Sequence, residues 1–174
     1  MRKVPIEEMN RLSVAEFQAA SKRPLRVLLD NVRSMHNVGS VFRTADAFLL
    51  EQVHLCGITP TPPHREIRKT AIGAEQAVAW THHVEIVPLL QQLKAEGYHL
   101  LAVEQTEPCT LLPDFQPDPQ QKYAVILGHE ITGVSDEALA LVDTALEIPQ
   151  FGTKHSLNVS VAAGIVLYAL TASM

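Results

Sequence analysis

Apolar and polar residues alternate along the chain in two rhythms. Leu25-Arg-Val-Leu-Leu-Asp30, Tyr98 to Val103 and Tyr123-Ala-Val-Ile-Leu127 are short, nearly unbroken apolar runs, the pattern of strands covered on both faces. Gln52 to Cys56, Val78–Thr81 and Ala145-Leu-Glu-Ile148 read as shorter strands. Elsewhere the apolar spacing widens to helical periods. It predicts helices over 6–20, about 38–49, 87–96, near 135–142 and about 157–170. In the first, Ser13-Val-Ala-Glu16 has the form of a capping box, and Lys22-Arg23-Pro24 supplies the stop. Thr59–His64 and residues 106–121 are Pro-rich loops. The final helix is apolar nearly all round, which predicts burial in the fold or in an interface. Strands alternating with helices predict an α/β domain with a mainly parallel sheet.

Composition narrows the class. A chain of 174 residues, 47% apolar and 19% charged, is long enough for one domain with its own core. A net charge of -5 with that apolar content argues against disorder. No apolar run reaches the ~18 residues of a membrane span. The start, MRKVPIEEMNR, is basic but lacks the apolar stretch of a signal peptide, so no membrane association is expected. Cys56 and Cys109 form no C-x-x-C and read as free thiols in a reducing cytoplasm. The pI of about 5.9 argues weakly against nucleic acid. The distribution of charge argues the other way. Residues 1–69 hold 11 of the 14 Lys+Arg against 7 of the 19 acids, and residues 70–174 hold 3 against 12. That imbalance fits one basic face, and equally a solvated first half.

Familiar chemistry is absent. No G-x-G-x-x-G, P-loop, H-E-x-x-H or G-x-S-x-G occurs, and the histidines form no metal-ligand pattern. Three segments are unusual. His36-Asn37-Val-Gly39-Ser-Val-Phe-Arg43 places polar residues where a strand hands over to a helix, with Asn37 as a cap and Gly39 for close backbone approach. A helix start with a nearby guanidinium suits a phosphate; an ordinary cap and a surface arginine is the plainer reading. Ile126-Leu-Gly128-His-Glu130-Ile-Thr-Gly133-Val-Ser135 puts two glycines and a carboxylate directly after a buried strand, where open α/β sheets bind ligands. A simple turn accounts for it equally. Ile148-Pro-Gln-Phe-Gly152-Thr-Lys-His-Ser156-Leu157-Asn158-Val-Ser160 opens into an apolar helix, and its polar side chains need partners there. Local capping by Ser156 would also satisfy them.

Together, N-x-G-x-x-x-R, I-L-G-x-E-x-x-G-V-S and I-P-x-x-G-x-x-x-S-L-N-V-S-V-A-A resemble the three motifs of the SPOUT superfamily in its SpoU/TrmH branch. The resemblance runs from about residue 25 to 171, and Lys69-Thr-Ala-Ile-Gly-Ala-Glu75 is similar to a recurrent stretch of that branch. It implies an RNA ribose 2′-O-methyltransferase acting on tRNA or rRNA in the cytoplasm. It further implies a parallel α/β sheet whose C-terminal part is tied into a deep trefoil knot, and a homodimer. The cofactor it implies is S-adenosylmethionine, with Gly128, Ile148 and Leu157 in the pocket and Val103-Glu104 beside it. Asn37, Arg43, Glu130, Ser156 and Asn158 match the branch's functional polar positions.

The methyl group of a sulfonium is already activated, so no metal is expected. Arg43 would hold the phosphate next to the target ribose, or act with that phosphate as base; a guanidinium alone is a poor base because its pKa exceeds about 12. Ser156 and Asn158 would position substrate and cofactor, and Glu130 would orient Arg43 or a dimer-related loop. RNA affinity is expected from the basic first half, with Arg65, Arg68 and Lys69 as phosphate contacts. Residues 1–24 then form an N-terminal helical extension, and 25–174 the methyltransferase domain. The alternative is a knotted RNA-binding or assembly protein without catalysis.

Overall fold

The computed structural model describes residues 1–172. Seven strands form one sheet: β1 Arg23–Asp30, β2 Leu50–Cys56, β3 Trp80–His83, β4 Tyr98–Val103, β5 Thr110–Leu111, β6 Lys122–Leu127 and β7 Thr144–Glu147. Their order is β3-β2-β1-β6-β4-β7-β5, and every pairing is parallel. Seven α-helices accompany them: α1 Val14–Ala19, α2 Met35–Ala47, α3 Arg65–Ala71, α4 Ala74–Ala77, α5 Ile86–Ala95, α6 Asp136–Leu139 and α7 Val159–Thr171.

The unbroken apolar strands are explained by cover on both faces. Val27, Leu29, Val125 and Leu127 point to a layer built from α2, α3, α4 and α7. Leu28, Ala124, Ile126 and Leu100 point to the opposite layer, built mainly from α5. Successive strand residues alternate between the layers, as a pleated backbone requires.

Two expected elements differ. The helix over 6–20 is broken: Ile6–Met9 is a short 3-10 turn, Asn10 takes a left-handed φ of 48°, and α1 begins only at Val14. The Ser13–Glu16 capping box marks a true start there, so the apolar spacing of Met9 and Leu12 had merged two pieces. The Pro-rich stretch 106–121 also holds the two-residue β5, and α3 and α4 occupy residues with no predicted element.

Candidate active site

A cleft of about 370 Å³ opens at the carboxyl ends of β4, β6 and β7. Its walls include Val103, Glu104, Gly128, Glu130, Ile148, Ser156, Leu157 and Asn158. All five sequence-predicted cofactor positions therefore lie on one cavity, together with three of the five polar positions. Gly128 is required by backbone crowding: a Cβ there would stand 2.1 Å from Val134 N. Leu157 is 38% exposed, an apolar side chain left uncovered at the cleft.

A hydrogen-bond chain links the three unusual segments. The Glu130 carboxylate accepts from the backbone N–H of Arg33 (3.0 Å) and Ser34 (2.9 Å), and from Asn37 Nδ2 (3.0 Å). Asn37 Oδ1 in turn accepts from Asn158 Nδ2 at 3.1 Å. Asn158 Oδ1 caps α7 by accepting from Ser160 N and Val161 N. Burial pushes the Glu130 carboxyl upward, but the donors from Arg33, Ser34 and Asn37 outweigh it and hold the group below the usual carboxylate range. Glu130 is thus ionised and committed within its own chain to residues 33–37 rather than to Arg43.

The expected cap is corrected on both sides. Asn37 lies inside α2, which Ser34 caps by accepting from Asn37 N (3.3 Å). A buried amide here instead serves the relay. Likewise Asn158, not Ser156, caps α7.

Arg43 stands apart. It is exposed, and it lines a separate groove of about 490 Å³ with Ser40, Thr44, Phe48, Lys69, Thr70 and Gly164. Arg65 and Arg68 are exposed on α3 and line neither cavity. The two cavities differ in charge. The first is lined by Glu104, Glu130 and Glu147 with no Lys or Arg; the second by Arg43 and Lys69 with no acid. A carboxylate-lined cavity with exposed apolar side chains on its wall, Ile131 and Leu157, fits a cationic sulfonium carrying an adenosyl group. Gly128, Ile148 and Leu157 would hold it, with Glu104, Glu130 and Glu147 supplying the negative field.

Two carboxylates, Glu104 and the further residue Asp30, shape the site. Asp30, 1% exposed, accepts from Ser135 N at 2.8 Å. Glu104 accepts from Val134 N at 2.9 Å. Both carboxylates pin the turn after β6. The signal for Asp30 was an acid ending an otherwise apolar strand. Among the described residues no group of three or more His, Cys, Asp or Glu could hold a metal ion.

The SpoU rRNA Methylase family model matches residues 24–168. The chain belongs to that family. Relatives of the SpoU family include a tRNA (guanosine(18)-2′-O)-methyltransferase of Thermus thermophilus, 35% identical over 92% of this chain and 81% of the relative. The enzyme of the same name from Escherichia coli K12 is 33% identical over 89% of this chain; the match spans 66% of that relative's length. Among solved structures, an AdoMet-bound rRNA methyltransferase from Sinorhizobium meliloti superimposes with a TM-score of 0.80 at 24% identity, covering 88% of this chain and 59% of the other. The mainly parallel sheet with flanking helices is thus the fold of this group.

Proposed function

We propose that the chain transfers a methyl group from S-adenosylmethionine to a ribose 2′-hydroxyl of tRNA or rRNA. The observation that carries the reading is the pair of oppositely charged cavities, joined through α2: Asn37 hydrogen-bonds Glu130 and Asn158 of the acidic cleft, and Arg43 lines the basic groove. One suits a sulfonium, the other an RNA phosphate. The names of the relatives agree with this reading.

Bound in the cleft, S-adenosylmethionine supplies an electrophilic methyl group. The protein's own tasks are to orient and to manage a proton. The relay fixes the Asn158 and Glu130 side chains relative to α2, and a positioned reactant gains much of its rate from alignment. Arg43 holds the phosphate beside the target ribose and aligns its 2′-oxygen, which leaves the phosphate as the nearest proton acceptor. Ser156 lies exposed on the same cleft, within the loop that leads to Asn158. Arg65 and Arg68, exposed on α3, add long-range attraction for RNA.

One copy keeps Arg43 off the acidic cleft, so the reading includes a homodimer in which a second copy supplies it. Support comes from α7, which sends Val159 and Ala162 to the cleft and Gly164 to the groove, and leaves Val161, Ile165 and Tyr168 exposed. The reading also includes the trefoil knot. In its favour, Ile148, Gln150 and residues 155–158 share the cleft with the ends of β4 and β6, with Gln105 Nε2 donating to the His155 carbonyl at 2.9 Å. Free Cys56 and Cys109 suit a cytoplasmic setting.

The test is transfer of tritium from methyl-labelled S-adenosylmethionine to bulk tRNA and rRNA, followed by alkaline hydrolysis. A 2′-O-methyl blocks cleavage of the adjoining phosphodiester, so label in alkali-resistant dinucleotides is the expected result. Label on a base would overturn the reading, and binding of RNA without any label would favour the non-catalytic alternative.

A further inference from the structure

The basic groove contains a second cation whose placement is organised. Lys69 Nζ contacts both Glu66 carboxylate oxygens, at 2.8 and 2.9 Å, and Oε2 also meets His36 Nε2 at 3.0 Å. His36 lies in the first turn of α2, and Glu66 and Lys69 lie on α3, so this bridge crosses between the two helices. Thr70 Oγ1 adds a bond to the His36 carbonyl at 2.9 Å. An exposed lysine is otherwise a flexible chain, and ordering one costs rotamer freedom. Here much of that ordering precedes any ligand. An ammonium has three donors, and Glu66 leaves at least one free. Lys69 and Arg43 both line the groove, whereas Glu66 does not.

We infer that Lys69 is a second ligand for the RNA phosphodiester in the Arg43 groove, and that Glu66, braced by His36, is the residue that positions it. The inference rests on the RNA-methylation reading above. It separates Lys69 from Arg65 and Arg68, which share α3 but line neither cavity. Arg43 offers a planar fork and Lys69 a point charge, a combination that grips a tetrahedral phosphate from two sides without fixing the base. The groove thus recognises backbone, and base choice lies elsewhere.

The experiment compares wild type with Lys69→Ala, Lys69→Arg and Glu66→Gln. It uses steady-state transfer to bulk tRNA at several salt concentrations and S-adenosylmethionine titration calorimetry. Lys69→Ala is expected to raise KM for RNA about tenfold, with most of the loss in KM rather than kcat. The log–log salt slope should become shallower by roughly 0.7 to 0.9, the release from one phosphate contact. Lys69→Arg should restore most of both. Glu66→Gln should raise KM a few fold while keeping the full slope, because the contact survives but is less ordered. An unchanged slope in Lys69→Ala would overturn the phosphate contact. A lowered KM in Glu66→Gln would show that Glu66 competes with RNA, and would overturn the positioning role. Absence of transfer by wild type would instead sink the underlying reading, which keeps the two failures apart.

Discussion

Arg43 and Leu157 belong to different cavities, and that separation makes their substitutions diagnostic. Arg43→Ala should lower methyl transfer more than roughly a hundredfold while S-adenosylmethionine affinity stays within a few fold. Arg43→Lys should recover little, since an ammonium cannot reproduce a two-point grip. Leu157→Glu should do the opposite and remove cofactor binding by adding a charge to the apolar part of the cleft wall. Calorimetry beside single-turnover transfer reads both. At this scale the sequence was informative because motif positions named the cleft-lining residues directly. Asp30 escaped notice because an acid ending an apolar strand does not by itself tell a buried carboxylate from a surface one; its 1% exposure and its bond to Ser135 N exist only once β1 and the turn after β6 are neighbours.

Helix α2 carries the burden at the level of elements. Its inner face is core, Asn37 belongs to the relay, and Ser40, Arg43 and Thr44 form the groove wall. It packs on α3 at Gly39, where a Cβ would stand 2.2 Å from the Ile67 carbonyl oxygen. Gly39→Ala should therefore push α3 away and destabilise the fold by about 1–3 kcal/mol, measurable as a lowered urea midpoint. Close approach was the sequence expectation for this glycine, and α3 is the element that approaches. The strands were legible because continuous apolar runs have one meaning between helices. The break at Asn10 was not, because Ile6, Met9 and Leu12 keep an apolar spacing that passes through a non-helical residue. Helices α3 and α4 were hidden by their shortness, seven and four residues, which is too brief for periodicity to register.

For the molecule as a whole, acid sensitivity should centre on the edge of the sheet far from β7. His54 is buried on β2 with Nδ1 3.2 Å from His83 Nε2. Burial first, then His83 and Arg26, push its pKa down to about 4, against the opposing pull of Glu51 and Glu96. A lowered histidine pKa means that the unfolded chain takes up the proton first. Stability is then full above about pH 6.5 and falls as pH drops towards 4, by about 3 kcal/mol from this group. Denaturation midpoints across that window should show the loss, and His54→Asn should flatten it. The proposed dimer places α7 at its interface: Ile165→Asp with Tyr168→Asp should turn it into monomers by light scattering and abolish transfer, with each monomer still folded because both side chains are exposed. Finally, the relay joins Asn37 to residues 93 and 121 positions away along the chain. Contacts of such span form late, after the entropy of closing long loops has been met. During refolding, secondary structure should therefore appear well before any capacity to bind cofactor. The time at which a fluorescent cofactor analogue is first captured should coincide with the slowest phase, when the last helix docks.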